Sequence, residues 1–404
     1  MNDRATEHES GFSLLEMTIA MALGSIVLAA AVQIYIQGVQ ATFTTTQRAE
    51  LQQDFRAASN ILTQDLSLAG AGLGDGAAIQ LPTSASLPVY GCAQTGASPA
   101  PCYLGVANAT SVTYPVQGTT PYLYGLLPGY VAGPTLLTAQ GATDTTTVVY
   151  TDSNFYLDCY TATIATATTV TFTVPASTTV NCASPTGDAG LQAANDAAVG
   201  LTAGDLILFT FGTTNVVAEV TGVSGTTAAG TVPAAGTSYT ITFAANDALN
   251  MNQTNTANYS LAYQHTNGTL TGYGTRILVI TYYIDNTLNP PRLMRQVSGH
   301  TPVPVAENVV YLKFTYDLFN ESTYTPAIAC SNPGAATDGC LVAGASTGLL
   351  PNQITKINIQ NMAIDSALQG PQVGTGGTGS GYQRMDLQTS VSARNLTYVN
   401  NYPN

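Results

Sequence analysis

"GFSLLEMTIAMALGSIVLAAAVQIYIQGVQ", residues Gly11 to Gln40, decides how the rest of the chain is read. From Phe12 to Ile36 the run is apolar, interrupted mainly by Ser13, Glu16, Thr18, Ser25 and Gln33. With its flanks it approaches the ~20 residues that a bilayer span requires. A secretory signal would place a basic segment before a shorter apolar run and a small-residue cleavage site after it. Here MNDRATEHES sets Asp3, Glu7 and Glu9 against Arg4, and the apolar run continues into further helix. One carboxylate, Glu16, stands inside the run. A charge in a membrane helix costs about 2.5–3.5 kcal/mol on insertion scales. Near the helix end Glu16 can reach the headgroups; otherwise it meets a cation from another chain. Residue types alone leave both open.

Moving outward, Ala41 to Ala69 contains no proline, and Leu51, Phe55, Ala58, Leu62, Leu66 and Ala69 recur at steps of three and four. That spacing draws one apolar stripe along a helix. Arg48, Glu50, Asp54, Arg56 and Asp65 punctuate the other faces, and GAGLGDG (70–76) ends the helix with residues that tolerate left-handed backbone. The expectation is a single helix over 12–69, transmembrane over about 12–36 and amphipathic over 37–69.

After Gly76 the pattern changes to short β-like runs between Gly, Pro, Asn and Ser clusters. TTTVVYT (145–151), TTVTFTV (168–174), GDLILFTF (204–211), TNVVAEVTGV (214–223) and TSYTITF (237–243) read as strands. So do TRILVITYYI (275–284), VVYLKFTYDL (309–318) and ITKINIQNMAI (354–364). Alternation in the second of these puts Val310, Leu312, Phe314, Tyr316 and Leu318 on one face, and ILVITYYI has the apolar continuity of a central strand. TATIATATTV and GTTAAGTVPAAG read as edge strands and surface loops, and PQVGTGGTGSGYQ (371–383) as a flexible loop. The fold class is therefore α+β: a helical stalk followed by a β-rich, disulfide-containing globular head, with an elaborated region over 77–265 and a C-terminal sheet over 266–404.

Charged residues make up 8% of the 404, against roughly 25% in an ordinary soluble protein, which suits an extracytoplasmic β domain. The net charge is −13 and the only lysines are Lys313 and Lys356, so there is no basic stripe to neutralise phosphates and no nucleic-acid binding is expected. Cysteines fall as neighbours along the chain, which favours local bridges Cys92–Cys102, Cys159–Cys182 and Cys330–Cys340 in an oxidising compartment. No CxxC spacing or adjacent histidine suggests zinc.

Chemistry is sparse. His8, His265 and His300 are scattered, so no His-based catalytic triad or metal site is expected. GTGGTGSG (374–381) lacks the Lys-Ser/Thr ending of a phosphate loop, and the acidic stretch around Asp188 and Asp196 lacks EF-hand spacing. No cofactor, metal or catalytic residue is assigned. The 22 tyrosines read chiefly as strand and core residues, with an adhesive patch as the rival.

The register of Gly11, Phe12, Glu16 and the following span resembles the processing site of type IV prepilins and type II secretion pseudopilins. Later motifs narrow the resemblance to PilW-like minor pilins: Asp-Leu-x-x-Ala-Gly at Asp65–Gly70, Leu-x-Arg at Leu293–Arg295, Glu-Asn-Val at Glu307–Val309 and Arg-Asn-Leu at Arg394–Leu396. The resemblance implies an 11-residue leader (1–11), though an acidic one where the family's are usually basic. It further implies cleavage by prepilin peptidase between Gly11 and Phe12, with N-methylation of Phe12. Glu16 would then pair with the cationic N-terminus of a neighbouring subunit. It also implies a non-catalytic subunit that leaves the inner membrane through an assembly platform. There it would join other minor and major pilins, priming assembly or capping the fibre. A tip-forming type II secretion pseudopilin of the J class and a pilin-anchored surface adhesin are the alternatives.

Overall fold

The computed structural model describes residues 13–74, 78–83, 87–90, 114–117, 119–175, 191–287, 289–320, 323–328, 350–366 and 384–396. Two compact units divide it; one contains the helix as far as Gln53, the other begins at Asp54 and holds the strands. Helix α1 is continuous over Leu14–Ser67, 54 residues. In the second unit its stripe is buried as the spacing predicts: Ala58, Leu62 and Leu66, with Ala69 just beyond the helix, are solvent-free. Termination follows from backbone geometry. Gly70, Gly72 and Gly74 adopt φ of +79°, +74° and +85°, a region that L side chains avoid.

Among the described residues the second unit carries three sheets. Strands β1 (Ala78–Gln80), β2 (Val116–Gln117) and β3 (Thr120–Tyr124) form a small one in the order β1-β3-β2. The main sheet has eleven strands, all antiparallel to their partners. These are β4 (Leu126–Gly129), β5 (Thr145–Thr151), β6 (Thr161–Thr166), β7 (Thr169–Thr173), β8 (Leu206–Phe211) and β9 (Thr214–Glu219). The remainder are β10 (Gly222–Val223), β11 (Ser238–Thr242), β12 (Thr271–Asp285), β13 (Arg292–Val297) and β14 (Val303–Glu307). A short helix, α2 (Leu261–Asn267), precedes β12 and is capped by the Ser260 hydroxyl. The last sheet runs β16-β15-β17-β18, with β15 Val309–Asn320, β16 Thr323–Ile328, β17 Ile354–Asp365 and β18 Arg384–Ser392.

β12 is central, as its apolar continuity predicts. It pairs with β5, β6, β8 and β13 in turn, so strands from both sides of residue 265 belong to one sheet. Its neighbour β8 shows why a run such as LILFTF needs no polar alternation. Leu206 and Leu208 enter one apolar cluster with Val279 and Ile277, while Ile207, Phe209 and Phe211 enter another with Phe172 and Phe243. Both faces of the strand are covered.

Two sequence expectations are corrected. TATIATATTV is not edge or loop: β6 lies between β7 and β12, and β7 between β6 and β11. Ala162, Ile164, Val170 and Phe172 point inward and the threonines outward, so small inward residues conceal an ordinary period-two strand. In β15, Leu312, Phe314, Tyr316 and Leu318 are buried together, but Val309 replaces Val310 on the buried side. An irregularity between Val309 and Tyr311 shifts the register there. GTTAAGTVPAAG does form a loop beyond β10.

Candidate functional site: the N-terminal helix and its anchorage

The start of α1 is built by Ser13. Its hydroxyl accepts from the Leu15 amide at 3.3 Å, and its carbonyl accepts from the Met17 amide at 3.1 Å. Glu16 therefore occupies the third helical position of a Ser-x-x-Glu cap, beside the positive end of the helix. That placement is worth about 0.3–1 kcal/mol, which offsets only part of the ~2.5–3.5 kcal/mol cost of a charge in a span. Among the described residues no cation pairs with Glu16, and it is exposed. The Ser-x-x-Glu spacing is visible in the sequence and explains why a carboxylate at this position is tolerated before any partner arrives.

Four hydroxyls of the segment are turned back on the helix. Thr18 Oγ1 donates to the Leu15 carbonyl at 2.8 Å, and Ser25 Oγ to that of Ala22 at 2.8 Å. Thr42 and Thr45 do the same with Gly38 and Ala41. No hydroxyl in this group needs water, which is the condition for burial in hydrocarbon. Leu14, Ile19, Leu23, Val27, Ile34 and Tyr35 are exposed and lie all around the helix. Among the described residues α1 alone is long and apolar enough to cross a membrane. Gly11 and Phe12 lie outside the described residues.

At its other end the helix enters the head through a polar cluster. Asp65, buried in the last turn, accepts hydrogen bonds from Tyr150 Oη at 3.0 Å, Tyr282 Oη at 2.5 Å and Arg295 Nε at 2.7 Å. A carboxylate near a helix C-terminus faces the negative end of the dipole, and the Arg295 guanidinium compensates. Burial first, then the Asp65 charge, raises Tyr150 and Tyr282, so both stay neutral donors. The hydrogen bond and charge of Asp65 outweigh desolvation and hold Arg295 ionised.

Three of the four motifs singled out in the sequence meet here. Asp65–Gly70 meets Arg295 of the Leu-x-Arg motif, and Leu396 of the Arg-Asn-Leu motif packs against the helix end. A methyl on Gly70 would lie 2.6 Å from Leu396 Cδ2, and one on Gly125 would lie 2.5 Å from the Gly70 Cα. The Gly70 amide donates to the Val149 carbonyl of β5 at 2.8 Å. Nothing in the sequence links Asp65 to Tyr150 or Tyr282, because those contacts span 85 and 217 residues.

Other expected sites resolve as follows. Tyr282 and Tyr283 are buried core residues, as are Tyr90, Tyr124 and Tyr316. Asp196 is a structural cap: its carboxylate accepts from the amides of Ala198, Val199 and Gly230, which hold it below the usual carboxylate range. Asp188 lies outside the described residues. His300 Nε2 pairs with Asp205 at 2.9 Å, and His265 sits in the last turn of α2. Cys159 is buried at the end of a 3₁₀ turn, Leu157–Cys159, and is not a free thiol. Cys92, Cys102, Cys182, Cys330 and Cys340 lie outside the described residues, and with them the three expected pairings.

Comparison with known proteins finds the same end of the molecule. Residues 8–32 match the prokaryotic N-terminal methylation motif. This match supports a type IV pilin-like protein, with the processing by prepilin peptidase and assembly with other pilins that the motif implies. Together with the apolar helix it fits anchoring in the inner membrane before assembly into a surface fibre. No curated protein and no solved structure matches the chain.

Proposed function

We propose that this chain is a PilW-like minor pilin of a type IV pilus: a non-catalytic subunit that, with other minor pilins, primes assembly or caps the fibre. The observation that carries the reading is the N-terminal part of the helix Leu14–Ser67, which exposes apolar side chains from Leu14 to Ile36 with one acid among them, Glu16, and overlaps the matched methylation motif. Such a surface finds equivalent partners in lipid and in a bundle of like helices, so a subunit can pass from one to the other at little hydrophobic cost. The one unpaired carboxylate then favours a position where a neighbour's cationic N-terminus reaches it. Prepilin peptidase would cut between Gly11 and Phe12 and methylate Phe12, and the head would stand in the periplasm, stapled by disulfides.

Intact mass and N-terminal sequencing of the protein extracted from membranes test this. A chain starting at methylated Phe12 supports it; a chain starting at Met1, or one cut near Ala31, overturns it. Deletion then distinguishes a pilus subunit from a secretion pseudopilin, through loss of twitching in the first case and of exoprotein release in the second.

A further inference from the structure

The outer strand of a sheet presents a row of unpaired N–H and C=O groups that invites another strand. Most outer strands of this head are closed to such pairing. β1, β2 and β10 have only two or three residues. β4, β14 and β16 carry Pro128, Pro304 and Pro326, which lack the N–H that an added strand would need. β9 ends under the Asn252 side chain, which bonds the amide and the carbonyl of Glu219 at 3.0 and 2.6 Å.

β18 is different. Among the described residues it is the outer strand of its sheet and pairs with β17 alone. Its nine residues, RMDLQTSVS, include no proline, glycine or lysine. The Ala393 amide donates to the Thr355 carbonyl at 2.9 Å, so by antiparallel alternation Thr389 and Val391 bond towards β17. Ser390 and Ser392 therefore turn their N–H and C=O groups away from it. Met385, Leu387 and Val391 are only half-buried along one face, while Asp386, Gln388 and Ser390 are exposed. Arg384 is held by Asp365 at 2.6 and 2.9 Å, and Asp386 has no ion-pair partner among the described residues.

We propose that β18 accepts an edge strand from the head of a different pilin-like chain, extending the sheet across the subunit contact. The inference rests on the reading of this chain as a fibre subunit. The open backbone row selects an extended partner. The half-covered Met385, Leu387 and Val391 select apolar side chains at its alternate positions, and Asp386 selects a basic residue opposite it. A second copy of this chain does not fit. Its other outer strands are closed, and β18 laid on β18 is a two-fold contact that completes itself, whereas a growing fibre needs a head-to-tail contact.

Photo-crosslinking in the producing cells tests this, with benzoylphenylalanine in place of Ser390 in the full chain. The expected product is an adduct with a second chain, identified by mass as a different protein with its own N-terminal methylation motif. An adduct with another copy of this chain, a crosslink within the chain, or no adduct overturns the proposal. Ser390→Pro removes an outward N–H and Ser390→Lys adds a charge to the edge, and neither removes a bond to β17. Both variants keep the parent's melting point in detergent, and their amounts in sheared fibres fall roughly tenfold or more. Normal amounts of both in fibres overturn the proposal and leave the fibre reading intact. Absence of the parent from fibres overturns that reading instead, and the crosslink in membranes still decides the edge.

Discussion

Replacing Asp65 with alanine removes the acceptor of three hydrogen bonds at once, two from tyrosine hydroxyls and one from Arg295. Hydrogen bonds to a charged group are worth about 1.5–3 kcal/mol each, but those sharing one acceptor do not add. The better guide is the cost of breaking a buried ion pair, about 3–5 kcal/mol. Arg295 keeps 24% of its side chain exposed, so water relieves part of its lost pairing and the lower end, about 3 kcal/mol, applies. For a domain of this size each kcal/mol shifts the melting point by roughly 2–4 °C, giving a loss of about 6–12 °C. The chain has no tryptophan, so near-ultraviolet circular dichroism follows its tyrosines, Tyr150 and Tyr282 among them, during melting in detergent. Tyr150→Phe and Tyr282→Phe each remove one donor and lower the melting point by less than Asp65→Ala does. A melting point for Asp65→Ala within about 1–2 °C of the parent, less than the shift from 1 kcal/mol, would refute the cluster as the anchor of the helix end.

Three further outcomes are expected. Gly125→Ala sets a methyl 2.5 Å from the Gly70 Cα, a clash with backbone that no rotamer change relieves; it destabilises by about 2 kcal/mol or more, measured by urea denaturation. The amides around Asp196 hold its carboxyl low, so the stability it contributes is present above the ordinary aspartate range. That contribution is lost as pH falls through the depressed value, and Asp196→Asn removes this part of the acid-side slope of melting point against pH. Glu16→Val leaves membrane insertion intact, as carbonate extraction would report. It abolishes incorporation into sheared fibres, and normal amounts of the variant there would count against the ion-pair role.

What the sequence made legible follows from period and length. A helix of this length with a 3.6-residue stripe, and a strand as apolar as β12, have few alternative readings. Local periodicity failed where the inward residues were small, as at Ala162, and where an irregularity moved burial from Val310 to Val309. The Asp65 cluster was out of reach for a different reason. Its partners arrive from β5, β12 and β13, and only the folded topology brings them together. Asp65 and Arg295 stand in separate short motifs, and only the fold makes them ion-pair partners. The Ser13 cap lies within reach of the sequence, because Ser-x-x-Glu spacing needs no tertiary contact to form.

The Asp65 junction also has a mechanical meaning. Tension drawn along the last turns of α1 enters the sheet through side chains on three neighbouring strands, and through the backbone bond from Gly70 to Val149. The load is shared among bonds that must yield together, not peeled off one by one.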